Sequence, residues 1–405
     1  MKRSADVVVI GGGCMGASVA YHLTRRGITD LVVLEREKLL ATGSTGRNAG
    51  GVRHQFSNEA NIRLSMESIG LLERFADEVG HPIDFHQDGY LFLLSSPQSV
   101  ETFRRNVALQ RSLGVDVDWL DASEAERLAP GIDASGVLGA TFCARDGIAD
   151  PNGVTLGFAK AAQAAGAAVE RGVEVTSIHV EHGRVCAVET NQGTIATRTV
   201  VNAAGPWARQ IGRMVGSPSP ANLEIPVDPI RRHIFIAALD GKGATDRAAG
   251  VPASHVMVID FETTFYFHRE GAGILLGMGD PRETPGFDTT VQWDFLPQVI
   301  EVAVTRLPAL ATASISHAWA GLYEMSPDGN PIIGPTSVEG FYLINGFSGH
   351  GFQHSPAAGR ILADVIAGND PGIDLAPFAL ARFSAQPVAP ASGGHGGQQG
   401  ERYVV

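Results

Sequence analysis

Residues 5–18 read ADVVVIGGGCMGAS. The apolar run Asp6–Ile10 has the length of a buried strand and passes directly into Gly11, Gly13 and Gly16. In that spacing the first glycine permits a tight turn and the second lets the backbone approach a pyrophosphate. The third lets helix and strand pack closely. A helix predicted over Met15–Arg26 turns its unsatisfied N–H groups and positive end toward phosphates. A second strand, Leu31–Leu34, delivers Glu35, where a carboxylate accepts hydrogen bonds from ribose hydroxyls. Arg36 stands beside it. A dinucleotide is the ligand these residues fit.

The glycine spacing does not separate a nicotinamide from a flavin. The next segment does. Residues 41–53, ATGSTGRNAGGVR, form a ribbon of small residues with Arg47, Asn48 and Arg53. A nicotinamide enzyme would be expected to enter its next crossover helix here. A ribbon can instead lie along an extended cofactor and donate backbone N–H groups. Arg53 ends it, and a guanidinium clamps a carboxylate in a bidentate fork. The competing reading is an arginine paired with a carboxylate of the protein. In FYFHR, Tyr266 and His268 alternate with Phe265 and Phe267, so one pair faces inward. Inward Tyr266 and His268 are expected to roof a polar pocket.

Other reactive residues point to less. His350 and His354 are four apart, but glycines precede them and no third ligand is evident, so no metal site is expected. Cys14, Cys143 and Cys186 fall in three segments without a CxxC pair, which indicates neither a zinc site nor a disulfide framework. Small buried thiols in a reducing compartment are expected. The pairs Arg104-Arg105 and Arg231-Arg232 read as surface charge. With 31 Lys and Arg against 43 Asp and Glu, the chain carries a formal charge of −12. An acidic chain without a long basic run is a poor nucleic-acid or anionic-lipid binder. No stretch approaches the roughly 20 apolar residues of a membrane span, and the short apolar run at the start is no signal h-region. A cytoplasmic protein is expected.

These residues need elements to position them. The sequence predicts an amphipathic helix over 58–79, a strand at GYLFLLSS and a helix at SVETFRRNVALQRSLG. Asp150 and Pro151 open a further helix. A small antiparallel unit then leads to a buried strand, Thr199–Asn202. Strands are expected to dominate from residue 225 to 315, followed by a last strand and glycine turn at GFYLINGFSGHG and a last helix at PAAGRILADVIAG. Residues 385–405 are Gly-, Ser-, Pro- and Gln-rich and are expected to be a disordered tail. The expected fold is α/β, α+β overall: a Rossmann-like domain interleaved with a substrate domain on a mostly antiparallel sheet. The first domain takes 1–85, 145–220 and 318–384; the second takes 86–144 and 221–317.

Four blocks carry a resemblance to a known family: VVVIGGGCMGAS, GSTGRNAGGVR, VVNAAGPWA, and the pair WAGLYEMSPDGNPIIG and GFSGHGFQHSPAAGRILADVI. In these, and in their order, the chain resembles the FAD-dependent amine and amino-acid oxidoreductases of the D-amino-acid oxidase and sarcosine oxidase type. It is most similar in flavour to the sarcosine oxidase β-subunit and dye-linked proline dehydrogenase branch. The resemblance implies that Gly11, Gly13, Met15 and Gly16 meet the FAD pyrophosphate and that Glu35, with Arg36 beside it, meets the adenosine ribose. Ser44, Thr45, Arg47, Asn48, Ala49, Gly50 and Gly51 line the cofactor. Val175 meets the adenine, and Ala204, Gly205 and Trp207 close the strand end beneath it. Gly321, Leu322 and Tyr323 pass the flavin ring, as do Gly346, Phe347, Ser348, Gly349, His350 and Gly351. The helix after that glycine turn sets a positive end toward the edge of the ring that is anionic when reduced.

Relatives that tether the flavin use a cysteine at the position of Gly321 or a histidine in the loop of Asn48, so noncovalent FAD is expected. The implied reaction is hydride transfer to flavin N5 from carbon next to nitrogen in a secondary or N-substituted amino acid. An imine forms and hydrolyses. The candidates for substrate contact are Arg53, Tyr266, His268, Tyr323, His350 and Gln353. Monomeric sarcosine oxidases carry an oxygen-activating lysine where this chain has Leu275, and a substrate-facing lysine at Gln353. The chain's four lysines are Lys2, Lys38, Lys160 and Lys242. A dehydrogenase that passes electrons to a quinone, another flavin or a partner subunit is therefore favoured over an oxidase using oxygen. A 2-hydroxy-acid oxidoreductase and a non-catalytic flavoprotein partner are the alternatives.

Overall fold

A computed structural model describes residues 2–216, 223–239 and 250–384. The expected tail, 385–405, and Lys242 lie outside the described residues. Val7–Ile10 is a run of β-branched residues buried on both faces, the pattern of a central parallel strand. It pairs in parallel with Leu31–Glu35 on one side and Thr199–Asn202 on the other. The full sheet has six strands, ordered Ile332–Pro335, Phe341–Asn345, Thr199–Asn202, Val7–Ile10, Leu31–Glu35, Ala168–Arg171. All pairings are parallel except that of Ile332–Pro335 with Phe341–Asn345.

Helices Cys14–Thr24, Pro151–Ala164 and Gly351–Ala367 share one core with one face of this sheet. The meander Val175–Glu181, Arg184–Thr190, Gly193–Ala196 packs on the other face. Close helix packing needs small residues. A Cβ on Gly16 would lie 1.9 Å from the Gly11 carbonyl oxygen, and one on Gly359 would lie 2.1 Å from Ser18 Oγ. Asp150 caps its helix as expected, accepting from the N–H groups of Asn152 and Gly153 at 2.9 Å each.

The second sheet has eight strands, ordered Ser314–Met325, Asp228–Ala238, Gly273–Met278, Phe265–Glu270, Met257–Asp260, Tyr90–Leu94, Gly139–Cys143, Asp118–Leu120. Only Met257–Asp260 with Tyr90–Leu94 is a parallel pair. Alternation gives this sheet two different faces. Leu91, Val258, Phe265, Phe267, Leu276 and Phe235 pack on one side with helix Leu296–Arg306. Tyr90, Met257, Ile259, Tyr266, Leu275 and Ile234 occupy the other. A small sheet of Gly51–Val52, Gly147–Ala149 and Phe85–His86 fixes the end of the ribbon between the two layers.

Three elements differ from expectation. The helix over 58–79 is two, Glu59–Glu73 and Phe75–Val79, because Arg74 leaves helical geometry at φ −108°, ψ 13°. Leu296–Arg306 is a helix inside a region expected to be strands. Ala122–Leu128 is a further helix, opened by a capping box between Asp121 and Glu124. Among the described residues no helix is long and apolar enough to cross a membrane.

Candidate active site

One cavity of about 500 Å³ runs between the two large sheets. Its first part is built from strand ends and helix starts. Gly11, Gly13, Met15, Glu35 and Arg36 line it, with Val175, Ala204, Gly205 and Trp207 at the same end. Glu35 already holds its loop: Oε2 accepts from Gly12 N and Oε1 from Glu37 N, both at 2.8 Å. Arg36 lies over the Trp207 ring, 4.6 Å from its centroid. The helices Cys14–Thr24 and Gly351–Ala367 both begin at this cavity, and neither has a side-chain cap. Uncapped N-termini are ready-made anion sites.

The ribbon lies along the strand Ser314–Met325 and is bound to it. Ser44 Oγ donates to the Leu322 carbonyl at 2.6 Å, Arg47 donates to the Ala320 carbonyl at 2.7 Å, and Trp319 Nε1 donates to the Arg47 carbonyl at 2.9 Å. Thr45 Oγ1 accepts from Cys14 N at 3.2 Å. Asn48 turns the ribbon, donating to the Thr45 carbonyl at 2.5 Å and accepting from Gly50 N at 2.6 Å. Ser44, Thr45, Arg47, Asn48, Ala49 and Gly51 line the cavity, as do Gly321, Leu322, Tyr323, Gly349, His350 and Gly351. An elongated cavity with a ribose-side carboxylate, two free helix ends and a backbone-rich middle fits FAD.

Beyond the ribbon the cavity widens among aromatic residues. Tyr90, Tyr266 and Tyr323 each approach a glycine closely. A Cβ would come within 1.9 Å of the Tyr90 hydroxyl at Gly51, 2.0 Å of the Tyr266 ring at Gly277 and 2.4 Å of the Tyr323 ring at Gly349. Burial raises the pKa of all three phenols, so they stay protonated. Arg53 is 1% exposed and borders this space. Its guanidinium donates to the Gln55 carbonyl and lies 3.9 Å from the Phe56 ring centroid. Gln353 fixes its backbone, accepting from Arg53 N at 2.6 Å. Behind it Asp146 accepts from His54 N at 2.8 Å, His54 Nδ1 at 2.6 Å and Gln55 Nε2 at 3.1 Å.

Several expected residues stand elsewhere. His268 shares the inward face with Tyr266 but stops short of the cavity: its ring contacts the Arg269 carbonyl at 2.8 Å and the Ala49 carbonyl at 3.2 Å. Burial pushes its pKa down to about 4. Gly16, Gly50, Gly346, Phe347 and Ser348 do not line the cavity; Ser348 instead bonds Ser326 N at 3.1 Å. His354 meets Ser65 Oγ at 2.8 Å, and its ring stands edge-on to that of His350 with centroids 6.0 Å apart. His54, Cys143 and Asp146 do bring ligand-type atoms within 4.8 Å of one another, a cluster with no signal in the sequence spacing. The His54–Asp146 contact is a hydrogen bond, and burial keeps Cys143 a thiol.

The sequence reading missed Tyr90, Glu324 and Arg232. Glu324 is buried, lines the cavity and has no hydrogen-bond partner for Oε2 among the described residues. Burial pushes its pKa from 4.5 up to about 7, against the N–H groups of Gly346 and Phe347, which favour the charged form. The Arg231-Arg232 pair is not simply surface charge, since Arg232 lines the cavity.

A two-layer fold with this cavity defines a dinucleotide-dependent flavoprotein. Residues 6–365 match the family described as FAD dependent oxidoreductase, and the chain belongs to it. Its cofactor is FAD. The chain is 30% identical over 393 residues to the mitochondrial dimethylglycine dehydrogenase of Homo sapiens, covering 92% of this chain and 44% of that protein. It is 32% identical to FAD-dependent oxidoreductase domain-containing protein 1 of Bos taurus, covering 94% of this chain and 85% of that one. Its structure superposes on L-proline dehydrogenase of P. horikoshii with a TM-score of 0.86 at 33% identity, over 95% and 99% of the two chains. The chain thus spans less than half the length of the dimethylglycine dehydrogenase it matches.

Proposed function

We propose that the chain oxidises the C–N bond of a secondary or N-substituted amino acid, of sarcosine, proline or opine type, to an imine that hydrolyses. The observation that carries this reading is Arg53, a buried guanidinium bordering the cavity where the ribbon ends. A carboxylate on Arg53 fixes the distance of the neighbouring carbon from the cofactor, and Gln353 keeps the arginine in place by its backbone. Ile234, Met257 and Ile259 supply an apolar wall that excludes water. FAD, when bound, supplies the two-electron acceptor. His268 stands outside the cavity with both ring nitrogens turned to carbonyl oxygens. It offers the amine no base, so the amine enters deprotonated. The dimethylglycine and L-proline dehydrogenases named above act on such amines by their names, which supports the same class here.

We further favour a dehydrogenase passing electrons to a quinone, a second flavin or a partner subunit. Leu275, at the position of the oxygen-activating lysine, is apolar and buried on the inward face of its strand, opposite His268 and Ile236. The test is anaerobic mixing of the holoenzyme with sarcosine, dimethylglycine, L-proline and 2-hydroxy acids while flavin absorbance is followed. Bleaching by an amine, faster as pH rises, is expected. Bleaching by 2-hydroxy acids alone refutes the reading.

A further inference from the structure

Arg231 and Arg232 are neighbours on the strand Asp228–Ala238, so their side chains leave opposite faces of the sheet. Their environments differ. Arg231 is neutralised: it donates to Glu283 Oε1 and to Asp288 Oδ2, both at 2.7 Å. Arg232 pairs with no carboxylate among the described residues. Its guanidinium makes one hydrogen bond there, from NH1 to the Arg231 carbonyl at 3.0 Å. It stands 5.1 Å from the centroid of the Tyr323 ring and lines the cavity.

Arg53 comes to the same aromatic residues from the ribbon: it follows Gly51, which meets the Tyr90 hydroxyl, and Met257 and Ile259 connect Tyr90 to Tyr266 across the sheet. Tyr90 and Tyr266 are 4% and 7% exposed, and neither hydroxyl bonds another described residue. This end of the cavity therefore presents two guanidinium groups and a set of neutral O–H donors. The carboxylates that line the cavity lie elsewhere in it. Glu324 sits between Gly205 and Gly351, Glu35 holds the loop at the ribose end with Glu37 beside it, and Glu174 adjoins Val175. An amino acid with one carboxylate engages one of these cations and brings no anion to the other.

We propose that the substrate is a secondary amine flanked by two carboxylates, an N-(carboxyalkyl) amino acid, with one carboxylate on Arg53 and the other on Arg232. This rests on the reading that the site oxidises N-substituted amino acids. The carbon beside nitrogen gives its hydride to the flavin and the nitrogen gives up its proton, so a C=N bond replaces C–N. Water then adds and releases a primary amino acid and a 2-oxo acid, and the electron acceptor proposed above reoxidises the flavin.

The test uses the holoenzyme and two probes that cannot be oxidised at nitrogen, thiodiacetate and (methylthio)acetate, titrated by their perturbation of flavin absorbance. Thiodiacetate is expected to bind roughly ten- to a hundredfold tighter, the range of one charge-assisted pair. Arg232→Met should remove that advantage, Arg232→Lys should keep part of it, and Arg53→Met should weaken both probes. Equal affinities in the wild type, or an advantage that survives in Arg232→Met, overturn the proposal. Sarcosine and iminodiacetate then separate the two readings. If sarcosine bleaches the flavin and thiodiacetate shows no advantage, this proposal alone fails. If neither amine bleaches it and the advantage persists, the two-carboxylate site stands and the proposed reaction fails.

Discussion

Replacing Glu324 by glutamine should stabilise this protein at alkaline pH and leave it unchanged in acid. The residue is 9% exposed, Oε2 has no hydrogen-bond partner among the described residues, and burial holds the carboxyl pKa at about 7 rather than 4.5. Between those values the folded chain keeps a proton that the unfolded chain has released. The stability linked to this group is complete below pH 4.5 and is lost as pH rises through 7. A displacement of this size corresponds to on the order of 3 kcal/mol above pH 8. Glutamine matches the neutral acid in shape and cannot ionise, so Glu324→Gln avoids that loss. The assay is thermal unfolding of wild type and variant, at equal FAD saturation, from pH 4.5 to 8.5. The Tm difference should be near zero at the acid end and grow to several degrees in favour of the variant at the alkaline end. A difference independent of pH, or a variant less stable at pH 8, would refute the assignment of burial as the dominant cause.

Two further outcomes are expected. Gly277→Ala and Gly51→Ala each place a methyl inside the space of a tyrosine, 2.0 Å from the Tyr266 ring and 1.9 Å from the Tyr90 hydroxyl. Overpacking of this kind costs about 1–3 kcal/mol, so both variants should melt lower and bind (methylthio)acetate more weakly; unchanged affinity would show that the tyrosines do not shape the site. Acid precipitation of the holoenzyme should leave a white pellet and a yellow supernatant, because neither Gly321 nor Asn48 can form a bond to the flavin. Colour retained in the pellet would contradict this.

What was legible in the sequence was local. The strand, the glycines and the helix after them are encoded within 18 residues, and Glu35 follows at a distance the βα unit dictates. The ribbon was legible for the same reason: small residues in a row leave the backbone as the working surface. Leu296–Arg306 was not, because QVIEVAV is rich in β-branched residues and only the sheet packed against it decides for helix. The break at Arg74 leaves no composition signal. Arg232 was hidden by its neighbour. Two adjacent arginines suggest charge in water, and only the pleat of the strand, with Glu283 and Asp288 on one side alone, separates their fates. Tyr90 was hidden within an apolar run whose in–out alternation depends on the parallel partner Met257–Asp260.

The two faces of the eight-stranded sheet have a consequence for how such a protein can change. Arg232 and Ile234, Met257 and Ile259, Tyr266 and Tyr90 border the cavity, while Phe235, Val258, Phe265, Phe267 and Leu91 hold the opposite core. Recognition and foldedness are written on alternate letters of the same strands. A substitution at an inward letter alters the cavity and the small core that lines it together, while the outward core keeps its packing and the ribbon, sewn to one edge strand, keeps its place. Any change in what the cavity accepts is thus tied to a packing cost confined to the inward face.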